Sequence, residues 1–112
     1  MLHHVSLECR PEDADAHDAF WRAVGFERVP TPESLADRAA WYAKGPTQVH
    51  LLWTDDPVVP PGGHVAVQVD DPSATGLELE ERQPHWGAPR FYTRAPGGHV
   101  VELFSVPPPP AR

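Results

Sequence analysis

The chain has 112 residues, 40% of them hydrophobic, with nine basic against sixteen acidic side chains and a formal charge of −7. That length gives one domain with one core, no run approaches the ~18 apolar residues of a membrane span, and an acidic chain without a Lys/Arg cluster excludes nucleic acid and anionic membrane as expected partners. Cys9 is the single cysteine, which excludes an intrachain disulfide framework and Cys-based zinc modules, so any metal must be held by His and carboxylate.

The chain enters an alternating pattern at once, with no basic stretch leading into an apolar one, so a cytoplasmic protein is expected. Residues 2–9 predict a strand, with Val5, Leu7 and Cys9 on one face and His4, Ser6 and Glu8 on the other. The period then changes. Ala16, Ala19, Phe20, Ala23 and Val24 recur at helical spacing, Pro11 suits a first turn and Gly25 a left-handed stop, so a helix is expected over 12–24, with Trp21 at the edge of its apolar face. Short strands are expected at 26–29, 39–44 and 48–54, with 30–38 as a loop or helical turn. Pro57 to Gly63, Pro-Val-Val-Pro-Pro-Gly-Gly, breaks the chain near its middle.

Beyond the break, 64–70 alternates again, with Val65, Val67 and Val69 opposite His64, Ala66 and Gln68. Where the first half has a helix, 71–76 offers a turn or two only. Strands at 77–82, 90–93 and 99–105 complete the second half, and 107–112 reads as an extended polyproline tail. The expected fold class is therefore α+β, one domain of two βαβββ units at about 1–57 and 62–106, the second with a shortened helix. His4 and His50 lie 46 positions apart in the first unit, and His64 and Glu102 lie 38 apart in the second, a difference that matches the missing helical turns. Duplicated units sharing a fold bring equivalent positions together.

On each of four strands a ligand-type residue is out of phase with the aliphatic stripe: His4, His50, His64 and Glu102. Three imidazoles and a carboxylate converging on one face suit a divalent first-row transition metal, Zn, Ni, Co, Fe or Mn, rather than Mg or Ca. Trp41, Trp86, Arg90 and Tyr92 are expected to line a substrate pocket, the aromatics against an apolar part and Arg90 against an anionic one. His3, next to His4 on a strand, is expected to face the opposite way. His17, His85 and His99 are expected to be exposed or structural, and Cys9 to be a small buried apolar residue.

The paired βαβββ units, with Leu2-His3-His4-Val5-Ser6-Leu7, Gln48-Val49-His50-Leu51, Gly63-His64-Val65-Ala66-Val67 and Pro96-Gly97-Gly98-His99-Val100-Val101-Glu102-Leu103, resemble the vicinal oxygen chelate superfamily over nearly the whole chain. That superfamily includes glyoxalase I, extradiol dioxygenases, fosfomycin-resistance enzymes and bleomycin-binding proteins. The resemblance implies a half-open, U-shaped barrel around a metal held by His4, His50, His64 and Glu102, chelation of two adjacent substrate oxygens, and Glu102 as general base. It further implies a homodimer whose sites take ligands from both chains, which an uncovered Val65/Val67/Val69 face would favour. Glyoxalase I enzymes carry a carboxylate where this chain has His50. The resemblance thus implies a glyoxalase-like lyase or isomerase acting on a small oxygen-rich molecule. The alternatives are an Fe(II) extradiol-type dioxygenase and a metal-free drug- or metabolite-binding protein.

Overall fold

In the computed structural model, which describes residues 1–110, eight strands form two four-stranded sheets. The first comprises β1 (His4–Cys9), β2 (Glu27–Val29), β3 (Ala39–Lys44) and β4 (Thr47–Trp53) in the order β1-β4-β3-β2; the second comprises β5 (His64–Gln68), β6 (Glu80–Arg82), β7 (Arg90–Arg94) and β8 (Val100–Phe104) in the order β5-β8-β7-β6. In each sheet the first strand runs parallel to the last and the rest pair antiparallel, so the two modules repeat one topology. The duplication expected from the sequence is present.

Helix α1 (Ala14–Ala23) follows a 3₁₀ turn at Pro11–Asp13. It ends where glycine permits: Gly25 takes φ 95°, its N–H donates to Arg22 O and that of Phe26 to Trp21 O, closing the helix by a Schellman-type pair. A side chain at Gly25 would also bring its Cβ to 3.1 Å from Lys44 Nζ. In the second module the helix is reduced to a 3₁₀ turn at Pro72–Thr75, capped by Asp71, whose carboxylate accepts from Ser73 N, and stopped by Gly76 at φ 74°. The strand expected over 77–82 pairs only at Glu80–Arg82, because Leu77 and Leu79 meet their alternation by packing on the core rather than in a ladder.

One core joins the modules. Phe20, Trp21, Val24, Phe26, Tyr42, Val49 and Leu51 from the first pack with Val67, Val101 and Leu103 from the second. Trp21 is therefore fully buried rather than at a helix edge. The uncovered valine face expected on β5 is likewise absent, since Val67 is buried in this core and Val65 and Val69 pack against it. Cys9 is buried as expected, and His99 is buried with its Nε2 2.7 Å from Glu8 O, tying the β7–β8 turn to the end of β1. Pro107 to Pro110 is exposed and outside any regular element; Ala111 and Arg112, the rest of the expected polyproline tail, lie outside the described residues.

Candidate functional site

The aliphatic stripes of β1, β4, β5 and β8 face the shared core, so strand alternation turns His4, His50, His64 and Glu102 to the opposite faces of their sheets. The structure brings them together as two pairs. In the first module the His4 and His50 rings stack at 4.0 Å, and Trp41, paired in register with His50, stacks on its other face at 4.0 Å and 3°. His50 is thus held between two rings, with Nε2 2.7 Å from Gln48 Oε1. Burial, reinforced by the imidazoles of His4 and His3, pushes its pKa down to about 4, so the ring is neutral at pH 7, the form that ligates metals.

In the second module His64 Nε2 lies 3.0 Å from Glu102 Oε1, and Arg90 Nη1 lies 3.3 Å from the same oxygen. Glu102 and Arg90 are buried while His64 opens outward. Tyr92, in register with Glu102, sets its ring 5.3 Å from that of His64. Trp86 packs edge-on against Phe104 and donates from Nε1 to Val106 O, with the Arg90 guanidinium 6.0 Å from its ring. Of the residues expected to line a pocket, Trp41 therefore joins the first pair, and Tyr92, Arg90 and Trp86 gather at the second.

The two pairs do not merge within one chain. Among the described residues, no group of three or more His, Cys, Asp or Glu lies close enough to hold a metal ion. Gln48 and His64 share the wall of a cavity of about 490 Å³ between β1, β4 and β5, together with Val5, Val49 and Val65. The donor types present, three imidazoles and a carboxylate, are those that a first-row divalent ion takes. Metal bonds near 2.1 Å put neighbouring ligands about 3 Å apart, the separation of His64 Nε2 from Glu102 Oε1.

Three features escaped the sequence reading. Gln48, two residues before His50 and hence on its face, carried a signal that alternation could have found. The contact of Arg90 with Glu102 depends on a strand register that spacing does not give. His3 lies just before β1 begins, where alternation does not apply, and its Nδ1 sits 2.9 Å from that of His4 instead of on the opposite face.

No family model matches the chain. Among curated proteins, Glyoxylase I 4 of Arabidopsis thaliana is 28% identical over 88 residues, 71% of this chain and 50% of its own, so the chain spans about half the length of that relative. Solved structures superpose over nearly the whole chain. A glyoxalase family protein from Bacillus anthracis matches with TM-score 0.80 and 22% identity, covering 92% of each chain. Lactoylglutathione lyase from Agrobacterium tumefaciens matches with TM-score 0.66 and 21% identity over 93% of this chain and 92% of its own. A variant of the fosfomycin-resistance protein FosX from Listeria monocytogenes, in complex with Mn(II) and dihydroxypropylphosphonic acid, matches with TM-score 0.69 and 16% identity over 96% and 93%. Two βαβββ modules with open, curved sheets define the class: the chain has the vicinal oxygen chelate fold. Glyoxalase-type proteins and FosX are among the structures that it resembles, and its own second helix is short.

Proposed function

We propose that the protein is a divalent-metal-dependent enzyme of glyoxalase-like type, a lyase or isomerase acting on a small oxygen-rich metabolite, with His4, His50, His64 and Glu102 as ligands. The observation that carries this reading is that all four residues stand at the faces turned from the core, already gathered as an imidazole pair and an imidazole–carboxylate pair. The Mn(II) bound by the structurally similar FosX supports it. The ion, when bound, would act as a Lewis acid toward two neighbouring substrate oxygens.

The chain's own residues then have distinct tasks. Trp41 and His4 hold the His50 ring in one orientation by stacking on its two faces, and Gln48 fixes its tautomer. Glu102 is the group that accepts and returns the proton of the reaction, with His64 beside it. Tyr92 and Trp86 supply apolar surface for the substrate's carbon skeleton. Because each chain carries two half-sites, a second copy completes each site, His4 and His50 from one protomer facing His64 and Glu102 of the other.

The test is metal content by elemental mass spectrometry on untagged protein, beside His64→Ala and Glu102→Ala. The expected result is about one transition metal per chain, lost in both variants. Iron together with oxygen consumption would redirect the reading to a ring-cleaving dioxygenase. No metal, and no uptake of Zn, Ni, Co, Mn or Fe(II), would overturn it in favour of a metal-free binding protein.

A further inference from the structure

Among the described residues, Arg90 is the one buried guanidinium beside Glu102. Its side chain is 9% exposed and that of Glu102 is 7% exposed, so neither charge can rely on water. Two protein oxygens lie within polar reach of Arg90. Nε donates to Gln83 O over 2.8 Å, and Nη1 reaches Glu102 Oε1 at 3.3 Å. The plane lies near two rings, 5.5 Å from the centroid of Tyr92 and 6.0 Å from that of Trp86. The Gln83 carbonyl holds Nε, the two rings lie beside the guanidinium, and Nη1 lies within ion-pair distance of the carboxylate.

We propose that Arg90 is a positioning residue for Glu102, holding its carboxylate beside His64 in the orientation needed to ligate, rather than a clamp for an anionic substrate. The proposal rests on the reading of Glu102 as a metal ligand. Without Arg90, the carboxylate would keep only its contact with His64 and would be free to rotate about its terminal bond. A ligand that must be ordered on binding binds more weakly than one held in place beforehand. Nε is spent on Gln83 O and Nη1 lies within ion-pair distance of Glu102 Oε1, so the guanidinium charge is set against the carboxylate before any ligand arrives.

Cobalt(II) serves as the probe because its d–d absorption reports ligand arrangement. Untagged wild type, Arg90→Met, Arg90→Lys and Glu102→Gln are titrated with cobalt(II) against a chromophoric chelator, with circular dichroism as the check on folding. Arg90→Met is expected to weaken binding by about 10- to 100-fold and to alter the d–d band. Arg90→Lys, whose single ammonium keeps the charge but cannot span Gln83 O and Glu102 together, is expected to fall between the two. Wild-type affinity and an unchanged band in a folded Arg90→Met would overturn the proposal, as a substrate clamp would give. Should Arg90→Met fail to fold, wild-type affinity in Arg90→Lys would overturn it. Full cobalt affinity in Glu102→Gln would instead remove Glu102 from the ligand set, and so strike the functional reading itself.

Discussion

At the residue scale, Tyr42 shows how one hydroxyl ties an element down. Its O–H donates to Asp18 Oδ1 over 2.8 Å, linking β3 to α1, while the other oxygen of Asp18 accepts from Arg22 Nε. Burial, then the bond to Asp18, pushes the phenol up to about 12, so it remains a donor across the whole working range. Tyr42→Phe keeps the ring in the core and removes only this bond. The expected loss is about 1 kcal/mol, seen as a lower urea midpoint at unchanged slope; an unmoved midpoint would mean that Asp18 contributes nothing net. Single residues were legible where alternation encodes a face, as for His4, His50, His64 and Glu102. They were not legible where a contact crosses strands: Arg90 pairs in register with Phe104, not with Glu102, and reaches the carboxylate along a diagonal.

At the element scale, α1 combines a readable period with an unreadable environment. Its apolar spacing, Pro11 and Gly25 marked the helix, but the same pattern fits a helix covered on one side and a helix enclosed by a second module. The enclosure buries His17 completely: Nδ1 accepts from Trp21 Nε1 at 3.3 Å, the ring lies against Trp53, and Nε2 has no partner among the described residues. Burial lowers its pKa, His99 nearby adds to this, and Asp13 opposes it. The unfolded chain titrates this group near 6.5 and the folded chain below that, so between the two the unfolded state binds more protons. The contribution of His17 is therefore complete above about pH 6.5 and declines as pH falls below it. Urea unfolding from pH 7.5 to 5.5 is expected to show a midpoint that drops with acid in wild type and drops less in His17→Leu. Parallel curves would show that His17 is not held neutral.

At the scale of the whole molecule, the shared core and the split site are one fact. A chain with extents of 44 × 26 × 25 Å packs the aliphatic faces of both sheets inward, which leaves its four candidate ligands as two pairs that do not form one cluster. The fold was legible because duplication repeats in sequence as well as in space. The separation of the pairs was not, because alternation assigns each residue to a face of its own sheet and says nothing about how two sheets are set against each other. If each site takes half of its ligands from each protomer, complementation between dead chains must follow. Combine one variant carrying His4→Ala and His50→Ala with another carrying His64→Ala and Glu102→Gln, each unable to hold metal alone. A mixed dimer has one site made of both damaged halves and one made of both intact halves. Mixing after mild dissociation should therefore restore metal in mixed dimers to about half the wild-type content per dimer, by the symmetry of a two-fold interface. Sites confined to single chains would give no recovery at any mixing ratio, because every chain then carries its own damage into its own site.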